Sequence, residues 1–146
     1  MIIAIGCDSP GFEHKQYLIQ VLQQKGYDIF DVGCHSQDPV DYPDYARLVG
    51  EGVASGEYDR GILICGTGQG MNIAANKVNH VRAALCHEVL PAVMSRNHND
   101  ANVLCMGAWM IEKEQAERVA LGWLQAMFSK GAHAKRIAMI EEMEVN

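Results

Sequence analysis

Five short apolar runs, at residues 2–7, 28–32, 61–65, 81–86 and 102–107, alternate with longer segments in which apolar residues recur every three or four positions. Runs this short suit strands buried on both faces, and strands separated by helices must run parallel, because each crossover helix packs back on the sheet. The pattern predicts an α/β fold: a Rossmann-like, doubly wound, five-stranded parallel sheet with helices on both faces. The first helix is expected over about residues 11–25, with Leu18, Val21 and Leu22 inward and Gly26 at its end. A second follows Tyr42-Pro43, with Tyr45, Ala46, Val49 and Val53 on one side. Ala116, Val119, Ala120, Trp123, Leu124 and Met127 form a third amphipathic stripe. A last helix from about Ala134 aligns Ile137, Ile140 and Met143, a face suited to dimerisation. At 146 residues and 49% hydrophobic content, the chain is expected to form a single domain over 1–146.

A net charge of −6 without any long basic run argues against nucleic acid or an anionic membrane as partner and favours a small molecule. The five cysteines are odd in number and scattered without a CxxC pair, as reduced thiols in a cytoplasm would be. No apolar run approaches a membrane span, and the amino terminus lacks the basic region of a signal peptide. The protein is therefore expected to be soluble, unprocessed and cytoplasmic.

Chemistry concentrates where the third run ends in Cys65-Gly66-Thr67-Gly68-Gln69-Gly70. Glycines at alternate positions let backbone N–H groups converge on an anion, and a thiol beside them is a candidate base or nucleophile. A dinucleotide fingerprint requires GxGxxG after the first strand, and a P-loop requires Lys-Ser/Thr after its last glycine; Met71-Asn72 stand here. Met71 also replaces the arginine of a C-x5-R phosphatase loop. The bland alternative is that Cys65 is a small buried hydrophobe, the reading kept for Cys7, Cys34, Cys86 and Cys105.

Between a helix and the fifth strand, Ser95-Arg96-Asn97-His98-Asn99-Asp100-Ala101-Asn102 reads either as a turn or as a loop fixing the His98 imidazole for acid–base work. Asp8 and Ser9 follow the first strand, and Asp41 is a candidate helix cap before Tyr42. His14, His35, His80 and His87 lack metal-like spacing, so no metal is expected. Lys130 to Arg136 form a small cationic patch at a helix start, either a solvated face or an anion site.

Together, Gly6-Cys7-Asp8, Asp41-Tyr42-Pro43, the Cys65 loop with Asn72 to Lys77, and the segment from Ser95 to Leu104 resemble, in collinear order, the ribose-5-phosphate isomerase B and galactose-6-phosphate isomerase family. The resemblance implies an aldose–ketose isomerase that moves a proton between adjacent sugar carbons through a cis-enediolate, with neither metal nor cofactor. It further implies that Cys65 is the base and that residues 66–70 bind the enediolate oxygen, while Thr67 and His98 open the sugar ring. By the same resemblance Asp8 and Tyr42 contact substrate, and the protein is a homodimer or dimer of dimers with sites between subunits. The candidate catalytic residues are thus Cys65, Thr67 and His98. The candidate substrate-binding residues are Asp8, Ser9, Tyr42, Gly66, Gly68, Gln69, Gly70, Asn99, Trp109, His133 and Arg136.

Three positions depart from the family pattern: Ser9 replaces a histidine, and Trp109 and Ala132 each replace an arginine, at places where the family grips the substrate phosphate. His133 and Arg136 match, and Lys135 adjoins them. A sugar phosphate is the first expectation, followed by a non-phosphorylated sugar or sugar acid. A non-catalytic sugar-binding subunit is the alternative of another class, disfavoured by the joint presence of Cys65, Thr67 and His98.

Overall fold

In the computed structural model, which describes residues 1–145, the apolar runs form strands β1 (Ile2–Cys7), β2 (Asp28–Gly33), β3 (Arg60–Cys65), β4 (Ala83–Leu85) and β5 (Val103–Gly107). All pairings are parallel and the sheet order is β2-β1-β3-β5-β4. The helices are α1 (Phe12–Gln24), α2 (Tyr42–Ser55), α3 (Gln69–Ala75), α4 (Val89–Asn99), α5 (Lys113–Gln125) and α6 (Ala132–Glu141). Since β1 lies between β2 and β3, the chain reverses its direction of travel across the sheet at β1, and a crevice opens beyond the carboxyl ends of β1 and β3. Asp8 and Cys65 stand at those two ends.

Alternate strand residues feed two cores. Ile3, Ile5, Ile62, Ile64, Leu104 and Met106 pack with Leu18, Leu22, Ala92, Val119 and Trp123 of α1, α4 and α5. Ala4, Leu63, Cys65, Val103 and Cys105 face Ala46, Val49, Met71 and Ala75 of α2 and α3. The second face is built for close approach, since a methyl at Gly61 would lie 2.5 Å from Val49 Cγ1. Gly61→Ala should therefore lower the urea-unfolding stability by about 1–3 kcal/mol through overpacking. Lys15, wholly buried on α1, is neutralised by donating at 2.6 Å to Asp31 Oδ1, which also accepts from the Gly33 N–H.

Two expected elements differ. The fourth strand begins at Ala83 rather than 81, because a side chain intercepts the backbone there: Arg82 N–H donates to Asn102 Oδ1. On the other side of β4, Asn76 pairs with both the N–H and the carbonyl of Ala83. The segment read as a loop before β5 is mostly helix, since residues 95–99 complete α4 and only Asp100, at φ 48°, turns the chain. Its arginine explains this. Arg96 is buried and donates to Asp100 Oδ1 and the Ala101 carbonyl, so the turn is tied to the helix end. On α6 Ile137 is buried, Ile140 is exposed, and Met143 lies beyond the helix. No helix among the described residues is long and apolar enough to cross a membrane.

Candidate active site

Cys65 ends β3 with its side chain buried on the α2–α3 face. Gly68, at φ +80°, turns the loop back so that its N–H donates to Cys65 Sγ at 3.2 Å. A side chain at Gly68 would adopt a disfavoured backbone and strike Leu85 Cδ1 at 2.5 Å. The Gln69 N–H is held by Thr67 Oγ1 at 3.2 Å, which leaves the Thr67 hydroxyl proton free to donate. Among the described residues the amides of Gly66, Thr67, Gly70 and Met71 have no acceptor within the protein. They are available donors beside a sulfur, the arrangement that stabilises an oxyanion.

The turn after β5 clasps this loop. Ala108 N–H donates to the Cys65 carbonyl at 2.8 Å and Trp109 N–H to the Gly66 carbonyl at 2.9 Å. Aromatic rings stand over both ends of the loop: a methyl at Gly66 would lie 2.6 Å from the Trp109 indole, and one at Gly70 would lie 2.5 Å from the Tyr42 ring. Trp109 is itself 72% exposed, so its free face is turned to solvent. Asp8 completes the crevice. Its N–H donates to the Ile64 carbonyl, its carboxylate accepts from the Gly11 N–H, and burial raises its pKa above the ordinary carboxylate value. Ser9 follows it, half-buried.

His98 lies elsewhere. On the last turn of α4 it stacks on His133 of α6, ring centroids 4.4 Å apart and planes inclined by 12°. No hydrogen bond among the described residues joins this pair to the Cys65 loop within one chain. Asn99 and Arg136 are exposed nearby in sequence. Asn99 lines a groove of about 1100 Å³ with Arg47, Glu51, Val78, Val81 and Ile140, and this groove does not include the Cys65 loop. The candidate residues thus fall into two groups, Asp8, Ser9, Tyr42, residues 65–70 and Trp109 at the crevice, and His98, Asn99, His133 and Arg136 at the α4–α6 end.

The remaining cysteines are core residues, and burial raises the thiol pKa of Cys7, Cys86 and Cys105. No three His, Cys, Asp or Glu side chains cluster as metal ligands among the described residues. His87, which the sequence showed to lack metal-like spacing, stands two residues beyond β4, and its Nε2 accepts the Gly107 N–H at 2.9 Å.

Residues 3–140 match the sequence model of a family described as Ribose/Galactose Isomerase. The chain belongs to the ribose/galactose isomerase family. Within it, ribose-5-phosphate isomerase B of Escherichia coli strain K12 is 44% identical over 142 residues, 97% of this chain and 95% of its own length. The solved ribose-5-phosphate isomerase B of Clostridium thermocellum superposes with a TM-score of 0.96 at 46% identity, covering 98% of this chain and 97% of that one. That of Mycoplasma genitalium, with ribulose-5-phosphate bound, gives 0.93 at 37% identity, covering 97% and 94%. The ribose/galactose isomerase fold therefore extends over the sheet, the Cys65 loop and α6 alike.

Proposed function

We propose that this chain is a cofactor-independent aldose–ketose isomerase of the ribose-5-phosphate isomerase B kind. The observation that carries the reading is the Cys65 loop: a thiol fixed by the Gly68 N–H beside amides with no other acceptor. In the forward direction the Cys65 thiolate takes the proton from C2 of an open-chain aldose. The C2–H electrons form the C1–C2 double bond, and the carbonyl π electrons move onto O1. The loop amides hold that oxygen, whose charge appears only as the proton leaves, so they favour the transition state over the ground state. Return of the proton to C1, as the O2–H electrons form the C2 carbonyl and the O2 proton passes to O1, yields the ketose. Thr67 and His98 open the ring beforehand, while Asp8, Tyr42, Gln69 and Asn99 hold hydroxyls.

His98 and His133 reach the reaction, in this reading, from a second copy of the chain. Their separation from the Cys65 loop within one protomer supports a homodimer with sites between subunits, as do the exposed Met139 and Ile140 on α6. Five unpaired thiols support a cytoplasmic setting. The joint presence of Cys65, Thr67 and His98 favours an enzyme over a non-catalytic sugar-binding subunit. Incorporation of solvent deuterium at C2 on incubation with an aldose or ketose tests this, and its failure on every sugar with the homomeric protein would favour the subunit.

A sugar phosphate is the first substrate, gripped by His133 and Arg136. A second reading, isomerisation of a non-phosphorylated sugar or sugar acid, is favoured by the exposed indole over Gly66 and by the absence of arginine at positions 109 and 132. Each charge-assisted contact is worth about 1.5–3 kcal/mol, so restoring arginine with Ala132→Arg should raise kcat/KM for a sugar phosphate by on the order of tenfold relative to the free sugar. A panel of pentoses, hexoses and their terminal phosphates, measured on both proteins, checks it. An unchanged ratio would remove the missing-arginine explanation of specificity.

A further inference from the structure

We infer that His87 is a positioning residue for the proposed isomerisation: its imidazole holds the turn after β5, and that turn holds the Cys65 loop. The inference rests on the Cys65 reading above. Strand β4 ends at Leu85, and the Cys86 N–H to the Cys105 carbonyl is the last backbone rung on that side of β5. Two residues further, buried Gly107 points its N–H to where β4 has already ended, and His87 Nε2 supplies the acceptor at 2.9 Å. A side chain here completes what the shortened strand leaves undone.

From Gly107 the effect passes to the backbone that carries the thiol. The next two amides, of Ala108 and Trp109, donate to the carbonyls of Cys65 and Gly66 at 2.8 and 2.9 Å. There is no slack between the two segments, since a methyl at Gly107 would lie 2.5 Å from the Thr67 carbonyl carbon. Close-packed contacts of this kind transmit displacement rather than absorb it. The His87 backbone is anchored in turn, its carbonyl accepting from Gln115 Nε2 of α5 at 3.2 Å. An accepting Nε2 requires a neutral ring with its proton on Nδ1, and burial, which lowers the His87 pKa, favours that form.

The test compares His87→Gln, whose amide oxygen reaches about the Nε2 position, with His87→Leu, which fills space without an acceptor. In His87→Leu, kcat should fall about 10–100-fold with KM changed less than about threefold, because the loop is misplaced rather than the substrate lost. Cys65 alkylation by iodoacetamide should change rate in the same variant. His87→Gln should stay within about threefold of the unaltered protein in both measurements. Unchanged turnover in His87→Leu, or an equal loss in His87→Gln, would overturn the inference. If His87→Leu fails to fold, 15N NMR of the unaltered protein decides: a scalar coupling between His87 Nε2 and the Gly107 amide nitrogen is expected, and a proton on Nε2 refutes the role. Should the unaltered protein isomerise no sugar, the isomerase reading falls, while the coupling and the alkylation rates still judge His87.

Discussion

Cys65→Ala should lose isomerase activity by about 10²–10⁴-fold, the range that a positioned base contributes, with substrate affinity nearly unchanged. The expected split follows from geometry. The thiol side chain is small and buried, while the proposed substrate contacts come from Asp8, Tyr42, the loop amides and Trp109. Removing sulfur also frees the Gly68 N–H, which now donates to it, so the variant loop keeps its glycine turn but not its anchor. Initial rates give kcat, calorimetric titration gives affinity, and solvent deuterium exchange at C2 reports the proton transfer alone. Iodoacetamide should inactivate the unaltered protein, more slowly with substrate present. Full turnover by Cys65→Ala would remove the base assignment; lost turnover with equally lost binding would give Cys65 a structural role instead.

Trp123→Ala should be the most destabilising single truncation of the core, at about 3–5 kcal/mol. Trp123 is fully buried on α5 in the core that also holds Leu18 and Leu22 of α1, and it heads the largest of the buried side chains. Its Nε1 has no hydrogen-bond partner among the described residues, so the cost is transfer and cavity, with no lost bond to add. Against a total stability of about 5–15 kcal/mol, the loss is large enough to lower the melting temperature on the order of 10 °C or more. Urea and thermal unfolding measure it. Trp123→Phe, which leaves a smaller void, should lose less; equal losses in the two variants would mean that the cavity argument is wrong.

Much of this was legible from residue pattern because parallel strands buried on both faces leave continuous apolar runs, and their ends mark the crevice. Asp8 and Cys65 were placed correctly for that reason. What the pattern could not carry was side-chain substitution for backbone. Asn102 intercepts the Arg82 N–H where β4 would have begun, Asn76 stands beside Ala83 in place of a further strand, and no hydrophobic period registers a carboxamide acting as a strand. Arg96 is likewise invisible to composition: amid Asn, Asp and His it reads as part of a polar turn, yet it is buried and ties the turn to α4. His87 could be placed at the right end of the sheet, but its partner is a backbone amide 20 residues away, which spacing does not encode. The stacking of His98 on His133 joins two segments whose sequence signals, a polar run and a cationic patch, carry no sign of each other.

The carboxamide of Asn76 has a bearing on solubility. In a parallel ladder both backbone groups of one residue point to the same side, and those of Ala83 turn away from β5, toward the open margin of the sheet. Asn76 occupies both of them, at 2.8 and 3.0 Å. With only three residues in β4, a foreign strand arriving at that margin finds its first docking rung already filled. One asparagine thus caps an edge that would otherwise invite cross-chain β-pairing and fibril growth.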